Sequence, residues 1–285
     1  MKVNIKRKTM KAIKPGVYAN IPNEKYHQGQ GISSSMIKTY LKSPALYEAS
    51  FITKTIEKND PTPAMILGTA VHTAILEPDL FAENYVQAPE INRRTKEGKA
   101  LFAEFELANE GKTVLKPEEM DKIMSMTQSM LDHRLSKMLD NTINELSVVS
   151  TDPNTELLLK CRPDALHQEY CLDVKTCKDG SPEGFQKAIF NFGYHISAAY
   201  YLKVLNLAGI SCGSFIFACV ENSAPYLCSF YELDQESLAI GTEEVNRALQ
   251  GIVEASAFGD YPGYNQDMIT PISIPNWAKN QKKDY

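Results

Sequence analysis

Three charged side chains in one short stretch could do chemistry together. In "RPDALHQEYCLDVKT", residues 162–176, Asp164 follows an Arg-Pro pair, Asp173 comes nine residues later, and Lys175 lies two beyond it. Side chains two apart on a strand share a face, so Asp173 and Lys175 project together while Leu172 and Val174 turn the other way. A short hairpin-like return sets Asp164 beside Asp173. Two carboxylates held close repel unless something positive lies between them. Acids with open positions for water suit Mg²⁺ or Mn²⁺, as one ion or two. Such a cation polarises a phosphoryl oxygen, acidifies a water and neutralises the leaving oxygen, with Lys175 against the water or the phosphate. From the residues alone, a surface hairpin with an Asp–Lys ion pair fits the same spacing.

The elements that must position these groups read as follows. Residues 31–51 predict a helix with Ser33, Ser34 and Ser35 at its start, ended or kinked by Pro44. Residues 62–78 predict a helix apolar almost all round, hence buried. Residues 91–112 begin basic and turn helical, and 116–140 read as an amphipathic helix with Pro117 in its first turn. Three strands then span 145–176, with turns at "DPN" and "LHQE". One helix follows over 184–209 with Gly209 as its C-cap, then strands over 214–220 and 226–233, and a long helix over 234–259. Helices, antiparallel strands, a helix, strands and a helix give an α/β or α+β domain with a helical N-terminal part. Residues 1–15 carry six Lys/Arg and no acid and read as a flexible basic arm; residues 16–285 read as one domain.

Composition excludes several classes. The chain has 285 residues, 43% hydrophobic and 23% charged, as in a water-soluble globular protein. No apolar run has the length of a membrane span, and the N-terminus lacks the apolar stretch of a secretory signal, so a cytoplasmic protein is expected. Six cysteines without a C-x-x-C pair are expected as reduced thiols. A net charge of −5 argues against a protein that coats nucleic acid, but not against an enzyme with a local basic channel.

"RPD" followed by "LDVKT" resembles the PD-(D/E)XK nuclease signature, and the likeness extends along the chain. "ELSVVSTDPNTELLLKCRPD" is similar to the strand before that signature in RecE-like exonucleases (exonuclease VIII) and related phage nucleases. "GTAVHTAILEP" resembles their helix with an upstream histidine, "ISSSMIKTYLKSPALY" their opening helix, and "YHISAAYYLKV" the helix after the lysine. The resemblance spans roughly residues 30–205. It implies a mixed central sheet flanked by helices, with Asp164, Asp173 and His72 as metal ligands, Val174 as a carbonyl ligand and Lys175 as the catalytic lysine. Glu145 matches the acid that begins the preceding strand and binds metal directly or through water. Taken alone, Glu145 reads as a surface glutamate and His72 as a core histidine. The family's Gln-x-x-x-Tyr is replaced here by Ser197 and Tyr201, which puts substrate positioning in doubt more than metal chemistry.

The resemblance further implies a Mg²⁺-dependent exonuclease digesting duplex DNA ends 5′ to 3′. The 3′ single-stranded tails would serve recombination, with a ring-shaped oligomer and a single-strand annealing partner. A single-strand nuclease or endonuclease on the same core, and a silent DNA-binding module, are the alternatives. For grip on a phosphate backbone the candidates are Arg93, Arg94 and Lys96, with Lys99 beside them, Ser33 to Ser35 at a helix start, and Arg162 beside the catalytic acid. A solvated basic loop and simple helix capping explain the first two groups equally well.

Overall fold

The computed structural model describes residues 14–19, 21–57, 60–265, 268–275 and 279. The basic arm expected over 1–15 therefore lies outside the described residues except for Lys14 and Pro15. The first half is helical. After β1 (Gly16–Tyr18) come α1 (Asn23–Gln28), α2 (Ser34–Lys42), α3 (Pro44–Tyr47), a π-helical turn (Glu48–Ile52), α4 (Pro63–Leu76) and α5 (Pro78–Asn84). Then follow β2 (Tyr85–Gln87), α6 (Lys96–Ala108), β3 (Thr113–Leu115), α7 (Pro117–Asp132) and a 3₁₀ turn (Ser136–Leu139). The second half holds β4 (Ile143–Asn144), β5 (Ser147–Thr151), β6 (Leu158–Cys161), β7 (Ala165–Leu166) and β8 (Tyr170–Cys177). It continues with α8 (Pro182–Phe192), α9 (Tyr194–Leu207), β9 (Ser214–Glu221), β10 (Cys228–Glu232) and α10 (Gln235–Phe258).

A mixed five-stranded sheet runs β10-β9-β8-β7-β4, parallel between β8 and β9 and antiparallel elsewhere. Parallel neighbours need a crossover, and α8 with α9 supplies it. Strand alternation sorts the two faces. Cys171, Phe215, Phe217 and Cys219 face Ile37 of α2, Tyr200 and Val204 of α9, and Val245 and Leu249 of α10. Leu172, Val174, Ala218 and Val220 face Val71 and Ala74 of α4 and Ile123, Met126 and Met130 of α7. A second sheet, β1-β5-β6, extends the first layer. With both faces covered, the central strands carry apolar side chains on both sides, apart from the charged positions of β8.

Several expected elements are divided. The helix expected over 184–209 is two, because Gly193 adopts the left-handed conformation (φ 62°) and closes α8 before α9 begins. Pro44 ends α2, and Ser43 caps α3 by accepting from the Leu46 N–H. The helix expected to reach residue 140 stops at Asp132. The parallel pair β2–β3, either side of α6, was not foreseen, since three-residue strands are too short to show alternation. The six cysteines are free, and among the described residues no helix is long and apolar enough to cross a membrane.

Candidate active site

The site is built on a bent hairpin. Val148 faces Cys161 in the three-stranded sheet and Asn144 faces Ala165 in the five-stranded one, in one unbroken residue count. Residues 143–151 and 158–166 are thus a single antiparallel ribbon folded across two sheets. The bend falls at Glu145–Leu146 on one arm and at Arg162–Asp164 on the other. There the Glu145 N–H donates to the Asp164 carbonyl at 3.1 Å. Pro163 has no N–H to lose at this point. Glu145 takes a positive φ of 54°, a conformation a glutamate adopts only when its surroundings hold it. The sequence-based expectation that Glu145 begins a strand is corrected: it is the turn between β4 and β5.

Carried one step past the ladder pair Ala165–Leu172, the β7–β8 register sets Asp164 opposite Asp173. Opposed residues in an antiparallel pair point to the same face. Glu145, in a turn, and Asp164, in a bend, lie just outside the ladders, so the register brings their backbones alongside Asp173 while their carboxylates gather toward α4. The hairpin return expected from sequence is present.

Helix α4 supplies the fourth group. Gly68 lets the helix approach β8 so closely that a Cβ there would lie 3.2 Å from Thr176 Oγ1. One turn later, His72 Nε2 sits 3.2 Å from Asp164 Oδ2 and 3.4 Å from Glu145 Oε1. One donor atom from each of His72, Glu145 and Asp164 lies within 4.8 Å of the others. Asp173 stands apart from this trio, because the Lys175 ammonium two residues along the strand pairs with its carboxylate. The Val174 N–H donates to Asp164 Oδ2 at 2.7 Å, and the two backbone groups of a strand residue point to one side, so the Val174 carbonyl lies on the Asp164 side.

The charges show crowding. Burial lowers the affinity of His72 for its proton, but Asp164 and Glu145 outweigh it and push the imidazole up to about 9. Burial and Asp164 push Glu145 up to about 7, against the pull of His72 and Arg162. Burial also works against the charge on Asp164, yet His72, Lys175 and the Val174 N–H hold it below the usual carboxylate range. Burial raises Asp173 despite Lys175, with Asp164 adding to the rise. Burial disfavours the Lys175 ammonium, but Asp173 and Asp164 hold it firmly protonated. A set of one imidazole nitrogen and two carboxylates, one of them driven toward protonation, is a donor set that fits a hard divalent cation.

Residues 33–267 match the profile of a family described as a PDDEXK-like domain of unknown function, DUF3799. The chain belongs to that family. The PDDEXK-like domain is also similar in fold to a crystal structure from Eubacterium rectale described as a proposed exonuclease. That similarity has a TM-score of 0.59 at 12% identity and covers 90% of this chain and 97% of that one. A second solved structure aligns at a TM-score of 0.28 and 13% identity, over 63% of this chain and 84% of that one, too distant to inform the fold. No curated protein matches. The family, with the acidic cluster, supports a nuclease.

Other expected site residues of this PDDEXK-like domain fall into four groups. Ser197 and Tyr201 lie on one face of α9. Tyr201 is close enough to Asp173 and Asp164 to feel their charge, and Ser197 Oγ lies 3.4 Å from Ser34 Oγ. Ser33 occupies the N-cap of α2 without capping it, because its hydroxyl shares a 2.9 Å hydrogen bond with Ser35.

Arg162 is a correction. It was a candidate for gripping the phosphate backbone, but it is 7% exposed and turned inward. Its guanidinium donates to Ser147 Oγ and the Ile21 carbonyl, lies over the Tyr26 ring and stands 3.7 Å from Glu145 Oε2. It positions Glu145. Arg93, Arg94 and Lys96 belong to the β2–α6–β3 excursion. Arg93 lies 3.6 Å over the Phe102 ring, and among the described residues none of the three bonds to the acidic cluster. Two neighbours were missed in sequence: Tyr194, whose ring is 5.4 Å from Lys175 Nζ, and Lys38. Tyr194 lies one turn before Ser197 on the same face of α9, a spacing that signals it.

Proposed function

We propose that this chain is a divalent-metal-dependent deoxyribonuclease acting as an exonuclease on duplex DNA. The observation that carries the reading is the convergence of His72, Glu145 and Asp164 beside the Asp173–Lys175 pair. His72, Glu145 and Asp164 would hold Mg²⁺ or Mn²⁺, with the Val174 carbonyl and Asp173 at hand. When bound, such a cation supplies Lewis acidity toward a phosphoryl oxygen and its leaving group.

The chain's own groups do the rest. Lys175 stays an ammonium, so it stabilises negative charge developing on the phosphate rather than taking a proton. Asp173 fixes where that ammonium points. Arg162 holds the Glu145 carboxylate in place from behind. The hydroxyls of Ser34 and Ser197 offer hydrogen bonds to a phosphate oxygen, the task the resemblance gives to a glutamine.

The likeness to RecE-like exonucleases supports the finer parts of the reading. These are 5′-to-3′ polarity, 3′ tails for recombination, a ring-shaped oligomer and an annealing partner. One experiment tests the whole. Linear duplexes labelled at the 5′ or the 3′ end, and a closed circle, are incubated with Mg²⁺ or with chelator. Early release of the 5′ label, an intact circle and no reaction in chelator are expected. Cutting of the circle means an endonuclease, and degradation confined to single strands means a single-strand nuclease. DNA degradation no faster than by Asp173→Ala means a silent binding module.

A further inference from the structure

Among the described residues Lys38 is a cation without an ion pair. It lies on α2 one turn after Ser34, so the two share a helix face. Both meet the α8–α9 junction. Ser34 Oγ reaches Ser197 Oγ at 3.4 Å, and Lys38 Nζ donates to the Phe192 carbonyl at 3.2 Å. The lysine stem runs along Gly193, where an added Cβ would lie 3.0 Å from Lys38 Cδ. The same glycine breaks the crossover helix, and its missing side chain leaves room for the stem. Tyr194, the next residue, lies against Lys175. Lys38 and Lys175 thus flank one junction. Burial and the Lys175 charge both lower the pKa of Lys38, with only Asp173 opposing them.

Asp173 is already paired with Lys175. Among the described residues Lys38 forms no ion pair, and the Phe192 carbonyl takes one of its three N–H donors. Two ammonium groups drawn to one place, with a carboxylate for only one of them, leave a position that an anion would relieve. The proposed substrate supplies such anions at every nucleotide.

We infer that Lys38 is a substrate-positioning residue that grips a backbone phosphate neighbouring the one held beside Lys175. The inference rests on the nuclease reading and adds to it the contact that sets the strand's register in the site. An ammonium on a stem fixed at Gly193 and Phe192 acts as a point charge. The Ser34 and Ser197 hydroxyls stand on the same side and complete the cradle.

The test uses full-length Lys38→Met, which keeps the stem along Gly193, and Lys38→Arg. Binding of a blunt duplex is followed by fluorescence anisotropy in chelator across a salt series, and turnover is measured with Mg²⁺. For Lys38→Met the slope of log affinity against log salt is expected to shrink by about 0.9, the value for one lost phosphate contact. KM is expected to rise about tenfold, as for a lost charged hydrogen bond, with kcat changed far less. Lys38→Arg is expected to restore most of both. A wild-type protein that binds and cuts, beside a Lys38→Met protein of unchanged slope and KM, overturns the inference while leaving the nuclease reading standing. So does a loss confined to kcat. A wild-type protein that neither binds nor cuts DNA overturns both.

Discussion

Without metal, His72 and Glu145 hold protons that a bound cation must displace, because a ligand imidazole is neutral and a ligand carboxylate ionised. With His72 raised to about 9 and Glu145 to about 7, the imidazole is almost fully protonated at pH 7 and the carboxyl half so. Binding one ion is then expected to release about 1.5 protons at pH 7 and about 1 at pH 8. At their ordinary values of 6.5 and 4.5 the same two groups would release only about 0.2 at pH 7. Calorimetric titration with Mn²⁺ in two buffers of different ionisation enthalpy measures the number directly, and His72→Ala should lower it to between about 0.5 and 1, because losing the charge that pulls Glu145 down leaves that carboxyl more than half protonated. The same shifts set the pH dependence of stability. Both folded-state values lie above the unfolded ones, so the metal-free protein loses stability as pH rises. Glu145 contributes this loss between 4.5 and about 7, and His72 between 6.5 and about 9. The slope is at most about 1.4 kcal/mol per pH unit for each proton concerned. Release near zero at pH 7, or a metal-free protein whose stability climbs from pH 5 to 8, would refute the reasoning.

Three further outcomes are expected. Lys175→Met should lower kcat on the order of 10²–10³-fold with little change in DNA affinity; steady-state assays on a linear duplex check this, and a drop confined to KM would contradict it. Arg162→Met leaves Glu145 without its buried cation and Ser147 Oγ and the Ile21 carbonyl without a donor, so unfolding in urea should show a loss of about 3–5 kcal/mol. Gly68→Val pushes α4 away from Thr176, at a cost of about 1–3 kcal/mol, and should weaken Mn²⁺ binding because His72 rides one turn along the same helix. Unchanged Mn²⁺ affinity in that variant would break the link between the close approach and the site.

The strand that carries Asp173 and Lys175 was legible because its pattern is local. Alternation over residues 170–177 turns Asp173 and Lys175 to one face, and the turn before Tyr170 is short enough to return Asp164 to its place. Helix α4 was legible from its continuous apolar character, and the placement of His72 from the resemblance. What could not be read depends on pairings between distant segments. Glu145 occupies a left-handed turn because one hairpin serves two sheets, and nothing within residues 143–151 announces that bend. Arg162 looked like a surface cation because its partners, Ile21, Tyr26, Glu145 and Ser147, come from other parts of the chain. Gly193 stood inside a good helical pattern, and its role appears only once Lys38 lies across it. The trio of His72, Glu145 and Asp164 likewise took shape from helix–sheet packing, whereas spacing alone paired Asp164 with Asp173.

Diffraction from Mn²⁺-soaked crystals, read by anomalous scattering, tests the cation site most directly. The expected result is a peak within about 2.3 Å of His72 Nε2 and of carboxylate oxygens of Glu145 and Asp164, with Lys175 still on Asp173. Manganese bound elsewhere, or absent while His72 keeps its contact with Asp164, would contradict it.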